Sequence, residues 1–180
     1  MTKKISDTKP VIDFVGIATK YCQFIEKRDN KTKIQLLQEA LIILPQLCLC
    51  GMTLPDIKKL SEYESPEISH EQWNDLFKSL HHKLKGWDYY KEMFDPYKRR
   101  DKKPVYASLS DDLSDIYRDL KPGLQDWEKT TANERLDIIW HWKCGFENHW
   151  GDHATRAFRA LYSLLYKHID DKYGDYIGVR

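Results

Sequence analysis

Apolar residues recur at three- and four-residue spacing along most of this chain, the period of helices that each bury one face. Val11, Phe14, Val15, Ala18, Cys22 and Ile25 form the first stripe, opened by Thr8-Lys-Pro10: a capping hydroxyl, then a proline whose missing N–H is harmless in a first turn. The polar run Glu26–Lys31 is a turn, and a second helix starts near Thr32 with Leu37, Leu41, Leu44 and Cys48 on its stripe. Pro45 should kink that helix, and Gly51 and Pro55 should end it. Residues 55–68, with three glutamates and two prolines, read as a connecting segment.

Ser69-His-Glu-Gln72 is a capping box launching a third helix, with Trp73, Leu76, Phe77, Leu80 and Leu84 inward and a stop at Gly86. Residues 87–107 form a second connecting segment, rich in aromatics and holding the basic run Lys98–Lys103. A fourth helix begins at Ser108 or Ser110, presents Leu109, Leu113, Ile116, Tyr117 and Leu120, and closes at Lys121-Pro-Gly123. Thr131-Ala-Asn-Glu134 is another capping box, for a fifth helix carrying Leu136, Ile139, Trp140 and Phe146. Gly151 either interrupts or bends the path into a last helix with Ala154, Ala157, Phe158, Leu161, Leu164 and Leu165, which frays from Asp170. No fixed repeat and no alternating strand pattern is visible. The expected fold is therefore all-α, a single bundle of about six helices spanning 1–180.

Composition narrows the setting. Of 180 residues, 29 are Lys or Arg and 28 are Asp or Glu, giving a net charge of +1, with neither half strongly charged. A polyanion-binding surface would need a large basic excess, so nucleic acid is not an expected partner. Lys98–Lys103 beside its aromatics reads first as a solvated loop, and His81-His82 as favourable charge at a helix C-terminus. Met1-Thr-Lys-Lys is not followed by an apolar signal segment, and Ala40–Pro55, the longest uncharged window, is short for a membrane span of about 20 residues. Cys22, Cys48, Cys50 and Cys144 lack disulfide or zinc-ribbon spacing, which fits buried thiols in a reducing cytoplasm.

Two segments concentrate ionisable groups. On a helical wheel Asp111, Asp112, Asp115 and Asp119 fall within an arc of about 100°. Like charges so spaced repel, so a cation should face them: a metal ion, a basic side chain, or counterions in water. His149 and His153 are four residues apart and share a face if the helix is continuous, with Arg156 on the same strip and Glu147 expected on the inward side. Asp112, Asp115, His149 and His153 could then hold Mn²⁺, Fe²⁺ or Zn²⁺. In that reading Glu147 is the candidate base, and Arg118 or Arg156 clamps an anion. The simpler reading is a polar network in which Arg156 pairs with the carboxylates and the histidines are satisfied hydrogen-bonding groups. No nucleophile elbow, Walker loop, dinucleotide fingerprint or HExxH is present.

The same segments resemble a bacterial family of unknown function. The likeness rests on Ser110-Asp-Asp-Leu-Ser-Asp-Ile-Tyr-Arg-Asp-Leu-Lys-Pro-Gly-Leu124, Tyr90–Tyr97, Trp140-x-Trp142 and Phe146-Glu-Asn-His-Trp-Gly-Asp-His-Ala154. It implies a small cytoplasmic helical protein and brings no activity. Asp112, Asp115, Arg118, His149 and His153 match the family pattern, whereas Asp152 stands at a position that varies. The functional expectation is a non-catalytic module binding a protein or small ligand, with a metal-dependent hydrolase of phosphoesters or nucleotides as the alternative.

Overall fold

A computed structural model describes residues 5–61, 63–93, 97 and 103–168. Six helices make up most of it: α1 (Lys9–Glu26), α2 (Lys33–Thr53), α3 (His70–Leu84), α4 (Leu109–Asp126), α5 (Ala132–Asn148) and α6 (Trp150–Ser163). The expected all-α class is correct. The segment 87–107 holds one feature the sequence pattern did not reveal, a two-stranded antiparallel hairpin of β1 (Tyr89–Glu92) and β2 (Val105–Ser108). Four-residue strands are too short for alternation to stand out from a loop, and only their pairing makes them visible. Of the basic run, Lys103 alone lies within the described residues, and the fraying expected from Asp170 lies outside them.

Capping chemistry accounts for most helix starts. Thr32, Ser69 and Thr131 each accept from the amide three residues on, and Gln35, Gln72 and Glu134 return the bond. Thr8 departs from expectation: its hydroxyl donates back to the Ile5 carbonyl instead of capping α1. α2 runs through Pro45 without interruption. It is long and apolar enough to cross a membrane, but here Leu36, Leu37, Ala40, Ile43, Leu44 and Leu47 are buried and the helix packs on α1 and α6.

The stop expected at Lys121-Pro-Gly123 does not occur, and α4 continues to Asp126. A side chain at Gly123 would lie 2.8 Å from Ile138 and from the Trp142 ring, and Trp127 packs its ring 5.3 Å from Trp142. Packing of that last turn on α5 outweighs the roughly 3 kcal/mol penalty of an interior proline.

α4 contacts α1, α3, α5 and α6, and α6 contacts α2, α4 and α5, so these two helices face each other at the centre. Phe14, Tyr21, Trp142 and Trp150 are the most deeply buried of the core's large aromatics. Phe14 lies 5.1 Å from Trp142 and 5.9 Å from Trp150, ring to ring, tying α1 to the α5–α6 corner. Phe158, expected inward, is exposed on the outer side of α6.

Candidate functional site

The corner between α5 and α6 arranges the histidines. The helical path breaks at His149 (φ −148°, ψ −84°), two residues before Gly151. A Cβ at Gly151 would sit 2.1 Å from the Phe146 carbonyl oxygen, so only glycine permits this corner. Trp150 is fully buried beside it and donates from Nε1 to the Trp142 carbonyl at 3.0 Å. A break was expected to separate His149 from His153. Instead it swings His149 toward α4 while the rings stay 4.8 Å apart, edge to face.

The carboxylate stripe of α4 meets these histidines in two places. At the inner end Asp112 is fully buried. It accepts from Tyr90 Oη at 2.5 Å and from Arg156 Nε at 2.6 Å, and His153 Nδ1 lies 3.0 Å away. Arg156 also reaches Asp152 at 3.0 Å through NH1, and its NH2 lies 2.6 Å from His153 Nδ1. A guanidinium only donates, so the Arg156 contact calls for a lone pair on His153 Nδ1, whereas the Asp112 contact calls for a proton there. Nε2 of the same ring faces Asp115 Oδ2 at 3.5 Å. Burial and the Asp112 carboxylate both raise the Tyr90 pKa, keeping the phenol a donor. Burial alone would lower the Arg156 pKa, but the charge and hydrogen bond of Asp112 outweigh it and raise the value.

At the outer end His149 Nδ1 lies 2.6 Å from Asp119 Oδ2. Burial raises the Asp119 pKa, and the hydrogen bond with His149 opposes that rise. Burial also raises the Asp111 pKa, with the neighbouring Asp115 charge adding to it. Asp115 is itself nearly buried, and its Oδ1 makes no hydrogen bond although Arg118 NH2 is 2.8 Å away. That contact supplies charge without the alignment of a hydrogen bond.

Beyond His149 opens a cleft of about 720 Å³. Its walls come from segment 64–70, α4 and α5, with Arg118, Asp119, His141 and His149 among its polar groups and Ile138 and Trp142 on its floor. The chain leading into segment 64–70 is tied to α5 and α4. Asp137, buried on α5, accepts from the Leu60 amide at 2.6 Å and from the Ser61 amide and hydroxyl, while Tyr63 Oη donates to Asp126 at 2.6 Å. Burial would raise the Asp137 pKa, but the Ser61 and Leu60 hydrogen bonds outweigh it and hold the carboxyl below its usual range.

The structure thus brings together Asp112, Asp115, His149, His153 and Arg156, with Arg118 at the cleft side. Two expectations need correction. Glu147 does not join the cluster; it is exposed and lies 3.4 Å from Lys143, because the corner turns that face of α5 outward. Arg156 is not offered to a ligand in the cleft, since its guanidinium is engaged by Asp112, Asp152 and His153. Asp119, named in the stripe but given no role of its own, turns out to orient His149. Its spacing of seven residues from Asp112 was the available signal. The Tyr90 and Asp137 contacts join residues 22 and 76–77 positions apart, and nothing local announces them.

Comparison with known proteins places this arrangement in context. Residues 6–167 match the family described as Domain of unknown function (DUF5063). The chain belongs to this family. Among solved structures it is similar to protein BF1032 from Bacteroides fragilis, with 24% identity, a TM-score of 0.79, and coverage of 91% of this chain and 96% of that one. At that identity the likeness shows a shared helical fold. No curated protein matches the sequence.

Proposed function

We propose that this DUF5063 protein is a non-catalytic binding module that takes a small polar molecule into the cleft between segment 64–70, α4 and α5. The carrying observation is the cleft itself. Its volume of about 720 Å³ falls within the roughly 300–1,000 Å³ usual for small-molecule sites. It combines an aromatic and aliphatic floor with donors and acceptors of both charge signs, among them Arg118, which also lies 5.5 Å from the Trp73 ring. The stretch just before segment 64–70 is anchored to α4 and α5, which lowers the ordering cost of binding.

The hydrolase alternative lacks the general base assigned to it, because Glu147 faces Lys143. A cytoplasmic setting belongs to the same proposal. It is supported by four free thiols, of which Cys22 has its pKa pushed up to about 12 by burial.

The test is a thermal-shift screen of small polar compounds, followed by a cleft-filling Ser65→Trp variant. Compounds that stabilise the wild type and leave the folded variant unshifted support the reading. Stabilisation that persists in the variant, or no stabilising compound at all, overturns it.

A further inference from the structure

We propose that Asp115, His149 and His153 form a binding site for one divalent first-row transition ion of the Mn²⁺, Fe²⁺, Co²⁺ or Zn²⁺ class. The site stands whether or not the cleft takes an organic ligand. Each of the three residues offers one donor atom, and these atoms lie within 4.8 Å of one another. Bonds of about 2.1 Å in a tetrahedral site separate donors by roughly 3.4 Å. His153 Nε2 and Asp115 Oδ2 already stand at 3.5 Å. Two imidazoles with one carboxylate select this class over Mg²⁺ or Ca²⁺, which favour all-oxygen sites.

Three further observations separate this from a chance cluster. First, Asp115 is nearly buried and its Oδ1, although 2.8 Å from Arg118 NH2, makes no hydrogen bond, so the carboxylate is incompletely satisfied and a cation at Oδ2 would add to that one contact. Second, each histidine has a carboxylate behind it: Asp119 at His149 Nδ1 (2.6 Å) and Asp112 near His153 Nδ1 (3.0 Å). Carboxylates in that position orient metal-bound histidines and raise their basicity. Third, His149 also lines the cleft, so a bound ion would keep a coordination position open on that side.

A second group, Asp111, Asp112 and His153, also brings donor atoms within 4.8 Å. Arg156 already stands in it, with Nε on Asp112 and NH2 on His153 Nδ1. The protein supplies its own cation there. A metal at the Asp115 end requires the His153 tautomer whose proton sits on Nδ1 and donates to Asp112 Oδ1, which leaves Nε2 to coordinate and gives up the Arg156 NH2 contact while Arg156 keeps its bonds to Asp112 and Asp152. Asp112 and Asp119 are positioning residues in this scheme.

The experiment starts from full-length protein stripped with chelator and desalted. It is titrated with Co²⁺, read by visible d–d absorption, and with Zn²⁺, read by calorimetry. One ion per chain is expected, with binding lost in both His149→Ala and Asp115→Asn. Asp119→Asn should keep the fold and weaken affinity by about 10–100-fold. Nitrogen-15 spectra of the Zn²⁺ form should show the His153 proton on Nδ1 and none on Nε2. Using two ligand variants guards against one failing to fold. A folded wild type that takes up no Co²⁺ or Zn²⁺ overturns the proposal. So does uptake that survives in both ligand variants, or a Zn²⁺ form whose His153 proton sits on Nε2.

Discussion

The two ends of the α4–α6 interface use the same residue types in opposite ways. At the inner end Asp112 is sealed from solvent and surrounded by Tyr90, His153 and Arg156. At the outer end Asp115 keeps a buried oxygen without a hydrogen bond, and His149, nearly half exposed in its side chain at 42%, opens onto the cleft. The difference is how each guanidinium is held. Arg156, nearly buried, hydrogen-bonds Asp112 and locks that carboxylate into structure. Arg118, more exposed, lies 2.8 Å from Asp115 Oδ1 without hydrogen-bonding it, so the outer end is less tightly held. One stripe of aspartates is thus locked by aligned hydrogen bonds at one end and left partly unsatisfied at the other.

The sharpest way to break this contrast is Arg156→Met, which strands Asp112 as a buried charge. Removing one partner of a buried ion pair typically costs about 3–5 kcal/mol. Denaturant unfolding should show a loss of that order. A near-neutral result would mean the inner end is not the structural end.

Tyr90→Phe is milder. It deletes one donor to a buried carboxylate and unlatches the hairpin from α4, for which about 1–3 kcal/mol is expected. Hydrogen exchange should increase first in the hairpin amides, with α1 and α2 unaffected.

His149→Ala acts at the open end, where partly exposed pairs contribute less than about 1 kcal/mol. Its melting temperature without metal should sit close to wild type. A loss as large as that of Arg156→Met would erase the distinction between the two ends.

Acid should reach the cleft wall with little effect on the core. The depressed Asp137 pKa means its anchoring stabilises the fold fully above the ordinary aspartate value, about 3.9, and is lost as pH falls through the lower native value. Exchange at the Leu60 and Ser61 amides followed below pH 4 should rise accordingly, and Asp137→Asn should remove that pH dependence. Exchange that does not respond to acid would mean Asp137 does not hold the wall.

Much of the fold was legible in the residues. Helical periodicity located six helices, and the Ser69 and Thr131 boxes marked two starts to the residue, because capping is chemistry among neighbours within one turn. The site was legible as a region. Asp112, Asp115, His149 and His153 were candidates because i,i+3 and i,i+4 spacing places side chains on one face. Their division of labour was not. Whether Arg156 stands against Asp112 or Asp115 depends on the axial offset of α4 against α6, which no local pattern encodes.

Similar reasoning separates what the chain determined alone from what required the assembled fold. Local rules settled the helical class, most helix boundaries and the carboxylate stripe, since each depends on atoms within a turn or two. Tertiary structure decided the rest. It carried α4 through Pro122 and Gly123 because Trp142 and Ile138 rewarded the packing. It placed the break at His149, where Gly151 lies against the Phe146 carbonyl. It paired β1 with β2, and it turned Glu147 away while bringing Asp119 to His149. These outcomes depend on contacts between distant segments, whose energies exist only once the helices are docked.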